Sequence, residues 1–400
     1  MTDMLSSFSR DMDISLYLHI PYCDTRCSYC AFYSLGRHDW FMGAQDVYAR
    51  RLLEEIRTVT SWMGRPFHSI FVGGGNPGCL EPDVLHSILK ETTCHGMPAE
   101  LTVEMNPESL DERRMDILAM HATRLSMGVQ SLSPFTLSVL GRNSCKDRTL
   151  EGMEKALFLH GRAGLALNFD IITCVPGQDV RSAVNDMQEI LSTGHEADHI
   201  SLYNLTVEEG TALAQRIDRG DVTPLDEDSQ ADILQACWNV LAEKGYTHYE
   251  VSNFARPGHE SIHNLCYWSG KQYIGLGSGA SGTSLAPSGR TVRWTYPPDI
   301  HRYVRGASGT GYAGEELGTG EIMEEILLTQ MRTSVGIDKN AFAARTGLDF
   351  DRIFSPSIAR MEQGTYKDSS SHFVVTERGM MILDAIVLDF ALQVDKRALS

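Results

Sequence analysis

Three cysteines within eight residues, Cys23, Cys27 and Cys30, are the part of the chain best suited to chemistry. They follow an apolar run, Ile14 to Ile20, that reads as a buried strand and is ended by Pro21. Three thiolates on so short a loop can converge on one metal centre. A tetrahedral zinc site would normally want a fourth ligand, and a [4Fe–4S] cube wants four, one per iron. No Cys or His follows at short range, because Ala31-Phe32-Tyr33-Ser34 comes next. A cube held by three thiolates leaves one iron open, and an open metal position is where a substrate can bind. A zinc knuckle, or three unrelated cysteines, is the alternative on this loop alone.

The elements that must position this loop repeat regularly. Helical spacing is found over 44–63, 82–93, 111–121, 147–161 and 180–192. Between these lie short apolar runs at 69–72, 100–107, 124–130, 165–172 and 197–202. With the first strand this makes six β/α units, hence a parallel sheet with right-handed crossovers. We expect an α/β fold: a partial (β/α)6 barrel of the TIM type, followed by a small, mostly helical, winged-helix-like domain. In such barrels functional groups sit at the C-terminal ends of strands. The unusual residues of this chain fall there: the cysteines, then Gly73-Gly74-Gly75-Asn76-Pro77, then Glu104, Gln130 and Asp170. The expected divisions are a flexible tail over 1–12, a core over 13–220, an extension over 221–310 and a C-terminal domain over 311–400. Glycines between 306 and 320 mark a candidate linker, and Thr376 is the expected N-cap of a last helix.

Composition narrows the partners. The chain has 400 residues, 42% of them hydrophobic, and a formal net charge of -17. So acidic a surface is unsuited to nucleic acid or anionic lipid. No secretory signal is visible at the start, no stretch is long and apolar enough to span a bilayer, and nine cysteines are more at home in a reducing compartment. A cytoplasmic location is expected.

The spacing C-x3-C-x2-C, with Tyr29 before the last Cys, resembles the radical S-adenosylmethionine (SAM) superfamily. The glycine stretch is similar to the G-G-G-T-P form of the oxygen-independent coproporphyrinogen III oxidase group, with Asn76 in place of Thr. Ile262-His263-Asn264-Leu265-Cys266-Tyr267-Trp268 resembles the H-N-x-x-Y-W motif of HemW-like heme chaperones. These resemblances imply a cluster on Cys23, Cys27 and Cys30. They imply SAM contacts from Tyr17, Tyr29, Gly74, Gly75, Asn76, Glu104, Gln130, Arg142 and Asp170. They also imply heme as a ligand, with His263 the axial candidate and Cys266 a possible second, and an acceptor protein for that heme. A His usual two residues after the Arg is Ser144 here. The related activity, oxidative decarboxylation of coproporphyrinogen III, is the alternative. That enzyme adds a fourth Cys where this chain has Phe32, and a longer segment ahead of its first strand. Read without the resemblance, each of these residues would more often be a cap, a turn or a packed structural group.

Overall fold

The computed structural model describes residues 2–192, 197–286, 290–305 and 313–398. Six strands alternate with helices: β1 (Ser15–Ile20), β2 (Ser69–Gly74), β3 (Glu100–Met105), β4 (Arg124–Gln130), β5 (Ala166–Thr173) and β6 (His199–Asn204). Each pairs in parallel with the next. The expected α/β parallel sheet is therefore present, with its six strands in chain order. The six strands lie at the middle of a twelve-stranded sheet.

Beyond β6 come β7 (Thr247–Glu250) and β8 (Asn253–Ala255), antiparallel, with β8 next to β6. Beyond β1 comes β9 (Tyr273–Leu276), parallel to it, then β10 (Ser281–Leu285), β11 (Thr291–Thr295) and β12 (Ala313–Leu317). The sequence gives β9 no strand signature, because Gly275 and its glycine neighbours look like a loop. Gly275 is needed there: a Cβ on it would lie 1.9 Å from the Ser281 carbonyl oxygen. The candidate linker is also corrected. Residues 306–312 lie outside the described set, and Ala313–Leu317 is an edge strand paired with β11, so the sheet runs past the expected boundary at 310.

Helices cover the outer face through apolar stripes. Helix Ala44–Met63 buries Tyr48, Leu52, Ile56 and Val59, and left-handed Gly64 stops it. Side chains of Asp111 and Asp179 cap the helices that follow them by accepting backbone N–H bonds. The inner face of the strands is different. Thr102, Glu104, Ser126, Asn168, Asp170 and Ser201 alternate with apolar neighbours, and His199 lies on the same side. The barrel interior is thus a polar channel rather than a packed core.

The expected loose tail is not loose. Met4, Leu5 and Phe8 are each only 4% exposed, and Phe8 meets Trp62 and Trp294 edge-on. The apolar residues of this short segment cover the outer side of β10 and β11, which would otherwise be wetted. Phe8→Ala is expected to cost about 3 kcal/mol through the lost contacts and the cavity left behind. A urea melt that moves by less than a third of that would refute this packing.

The C-terminal unit consists of helices 339–346, 350–358 and 383–398 around an antiparallel sheet of β13 (Ile337–Asp338), β14 (Tyr366–Asp368) and β15 (His372–Val375). Phe342, Phe350, Phe354, Phe373 and Phe390 form its core. Thr376 is an N-cap, through Gly379 N–H, but of a single turn; the long last helix restarts at Leu383.

Candidate functional site

The cysteine loop is held at the C-terminal mouth of the sheet by backbone bonds to three separate segments. Cys23 N–H donates to the Leu35 carbonyl (2.9 Å), Ser28 N–H to that of Leu140 (3.0 Å), and Leu213 N–H to that of Ser28 (2.8 Å). Cys23, Cys27 and Cys30 all line one cavity of about 430 Å3, which reaches down between the strand ends. Its far wall carries Gly74, Gly75, Glu104, Gln130, Arg142 and Asp170, with Tyr29 at the side. Nearly every residue expected at the site is brought together here from five different strand ends.

The glycines are there for close passage. Gly74 has φ 110°, and a Cβ on Gly75 would sit 2.7 Å from the Tyr22 carbonyl and 3.0 Å from Cys23 Sγ. Gln130 closes β4 at φ 64°, a left-handed conformation rare for a residue with a side chain, beside a bulge that re-aims it into the cavity. Arg142 ties the loop to the sheet. Its Nη2 donates to the Gly128 carbonyl (2.6 Å), its Nη1 to Asn106 Oδ1 (3.1 Å), and Cys27 Sγ lies 3.9 Å from Nη1.

Burial, with the neighbouring Cys27 and Cys30, pushes the Cys23 thiol up to about 12, and burial raises Cys30 as well. Burial thus disfavours bare thiolates at Cys23 and Cys30, and a cationic centre would hold them ionised. Among the described residues no group of three or more His, Cys, Asp or Glu is placed to hold a single metal ion. Three sulfurs lining one cavity, with no fourth Cys or His in the loop, are a donor set that an iron–sulfur centre with one open iron could use.

Opposite the sulfurs lies a carboxyl pair. Burial, then the nearby Asp170, raise Glu104 to about 8, and burial raises Asp170 too. Gly74 N–H donates to Glu104 Oε2 at 3.1 Å, and Ser126 to Asp170 Oδ2 at 3.1 Å. A pair of this kind, in a cleft, is suited to receive a cationic group. It also has a cost. The folded pKa of Glu104 lies above its ordinary 4.5, so the carboxyl is most favourable when protonated. Its contribution to stability is complete below about pH 4.5 and is lost as pH rises through about 8. Glu104→Gln is expected to melt a few degrees above the parent at pH 9 and to match it near pH 4.5. Equal melting temperatures at pH 9 would show that Glu104 is not buried at a cost.

Three of the expected site residues are placed elsewhere. Tyr17 does not line the cavity; its hydroxyl bonds to His19 Nδ1 (2.9 Å), and His19 Nε2 to the Tyr33 carbonyl (2.9 Å). Asn76 is buried and acts as a brace: Oδ1 accepts from Gly78 and Asn106 N–H, and Nδ2 donates to Ser109 Oγ. His263 is 0% exposed, at the opposite end of the sheet from the cysteines. Its Nδ1 bonds to Ser69 Oγ and its Nε2 to Tyr267 OH, both at 2.8 Å, and burial lowers its pKa to about 3. With both ring nitrogens taken and no exposed surface, His263 is not open to a heme iron in this conformation. Cys266 is buried beside it. Helix Ile262–Trp268 instead plugs the N-terminal end of the barrel. Glu100 anchors it by accepting bonds from Ser261 Oγ and from the N–H groups of Ile262 and His263.

Ser126 and Tyr203 also line the cavity and were not expected. The signal was available as a period-two stripe of polar residues within the apolar strands, such as Ser126-x-Gly128-x-Gln130.

The sequence profile of the radical SAM superfamily matches residues 17–190, and that of the HemN C-terminal domain matches 320–382. The heme chaperone HemW of Mycobacterium tuberculosis H37Rv is 32% identical over 386 residues, covering 93% of this chain and 93% of its own. The chain belongs to the HemW family of radical SAM proteins. The HemW protein of Escherichia coli K12 is 30% identical, covering 94% of this chain and 97% of its own. A mouse relative, "Radical S-adenosyl methionine domain-containing protein 1, mitochondrial", is 35% identical over 81% of this chain and 74% of its own. Among solved structures, coproporphyrinogen III oxidase (HemN) from Escherichia coli superposes with a TM-score of 0.79 at 18% identity, covering 97% of this chain and 92% of that one. That likeness shows a shared fold across the HemW-family chain, C-terminal unit included.

Proposed function

We propose that this protein is a cytoplasmic heme chaperone that holds a [4Fe–4S] cluster, binds SAM and heme, and passes the heme to an acceptor protein. The observation that carries the reading is similarity to proteins named heme chaperone over more than nine-tenths of both chains. The cavity supports it from the other side: three thiols face a carboxyl pair and glycine backbone across one space. Cys23, Cys27 and Cys30 would hold the cluster. When bound, the cluster supplies a transferable electron and an open iron position. Glu104, Asp170 and the backbone at Gly74 and Gly75 would receive the amino acid end of SAM. Arg142, Gln130 and Tyr29 would orient the rest of the nucleoside.

Phe32, two residues beyond the last cysteine, is 71% exposed at the cavity mouth. An exposed aromatic there offers a flat, apolar face to a porphyrin. It also occupies the position where coproporphyrinogen oxidases carry a further cysteine, which argues against decarboxylation.

The deciding experiment is anaerobic reconstitution of the full chain. Iron and sulfide should be incorporated, the heme absorption band should saturate on titration, and heme should move to a heme-free b-type cytochrome added afterwards. Supplying coproporphyrinogen III, SAM and a reductant should give no product. Formation of protoporphyrinogen would overturn the chaperone reading, as would a failure to bind heme.

A further inference from the structure

Beneath Glu104 and Asp170 the barrel continues as a second chamber of about 150 Å3. Glu104, Ser126, Asp170 and Tyr203 line both spaces, so the carboxyl pair is the partition between them. Ser261 and Asn264, at the start of the plugging helix, form the chamber's far end.

Among the described residues, two buried polar atoms on its wall have no hydrogen-bond partner: Thr102 Oγ1 and Arg124 Nη1. Thr102 is 1% exposed and Arg124 5%. The rest of the guanidinium is engaged, Nε with Glu100 Oε2 (2.9 Å) and Nη2 with the His259 carbonyl (2.8 Å). Leaving such a group unsatisfied costs about 1–3 kcal/mol, more when it is charged, and native interiors meet that demand with ordered water.

The charges around the chamber favour a neutral occupant. Glu100 compensates Arg124, and burial favours the neutral form of both carboxyls of the partition, so neither sign of charge is called for. At roughly 30 Å3 per molecule the space suits about five waters. His199 does not serve as a carrier of protons here: its Nδ1 is bonded to Asn168 Oδ1 (2.7 Å), its Nε2 to Tyr249 OH (2.8 Å), and burial lowers its pKa well below the usual value.

We propose that this chamber holds a hydrogen-bonded water cluster, anchored by Thr102 and Arg124, through which Glu104 and Asp170 exchange protons when a ligand covers the mouth above them. A carboxyl O–H breaks as a water O–H forms, the proton is handed from water to water, and it leaves to bulk solvent past half-buried Asn264. No electrons move. The identity of the covering ligand rests on the function proposed above; the water site does not. This gives Asn264 of the H-N-x-x-Y-W stretch a role distinct from the structural one of His263.

Two measurements on the reconstituted full chain test the proposal. A high-resolution structure should show waters within hydrogen-bonding distance of Thr102 Oγ1 and Arg124 Nη1; a dry chamber overturns it. Mixing with SAM at pH 7 in weak buffer, followed with an indicator dye, should release a proton in step with binding. In Thr102→Val, which keeps the shape and removes the hydroxyl, binding should be unchanged and release should lag severalfold. Asn264→Leu, which blocks the exit, should lag likewise if the first variant folds poorly. Release at the parental rate in a folded variant, or none in the parent, overturns the relay. If SAM does not bind at all, the functional reading fails, and the presence or absence of the waters still decides the chamber.

Discussion

Replacing Cys27 with Ala is expected to leave the fold intact and to strip the protein of iron and sulfide. The loop that carries it is held by backbone bonds to Leu35, Leu140 and Leu213, none of which involves a cysteine sulfur. Cys27 is half-buried, and its sulfur meets Arg142 Nη1 at 3.9 Å and the Tyr29 side chain. Its loss should therefore change stability by no more than about 1 kcal/mol. Removing one of three sulfurs leaves a second iron without protein ligation, so reconstituted iron should fall to the level of the apoprotein. Iron and sulfide analysis alongside circular dichroism checks this. A folded variant that keeps a full cluster would remove Cys27 from the ligand set.

The second large effect is expected at His263, and it is on folding rather than on heme. His263 is fully enclosed, bonds to Ser69 and Tyr267, and packs on Phe71 with ring centroids 5.2 Å apart. His263→Ala would open a cavity and leave the Tyr267 hydroxyl without its partner, while Ser69 keeps only its bond to Ser15, at a cost of about 3 kcal/mol. Heme affinity of the folded fraction should be unchanged. Denaturant unfolding and a heme titration on the same preparation separate the two. A normal unfolding midpoint combined with lost heme binding would restore His263 as the iron ligand and show that the plug at the barrel's end opens.

Much of the architecture was legible because it obeys simple periodicities. Helix 44–63 and strand 124–130 fall where spacing alone puts them, since their apolar stripes, and Gly64 just past the helix, leave few alternatives. The cavity was legible because Cys23, Gly75, Glu104, Gln130 and Asp170 all fall where strands end, and one sheet gathers strand ends in one place. What escaped were features decided by contacts across long stretches of chain. β9 is a strand because β1 offers it an edge, despite glycines that suggest a loop. Met4 and Phe8 look like a tail until Trp62 and Trp294 are brought beside them. His263 faces Ser69 and Tyr267 here; a motif reports that a residue matters without saying whether it faces a ligand or a neighbour. Asn76 and Tyr17 show the same ambiguity: polar atoms that could meet a ligand are spent on Gly78 and Asn106, and on His19.

The position of β1 has a consequence for biosynthesis. One of its edges is met by β2, close behind it in the chain, but the other is met by β9, which begins only at Tyr273. At about 5–20 residues per second, a ribosome needs on the order of ten to fifty seconds to bridge that gap. Throughout that time Leu16 and Leu18 belong to a strand with one unsatisfied side, the kind of template on which nascent chains associate. Fragments that stop short of residue 273 should therefore be insoluble, and yield should respond to holdases that shield emerging polypeptide more than to agents that stabilise the finished molecule.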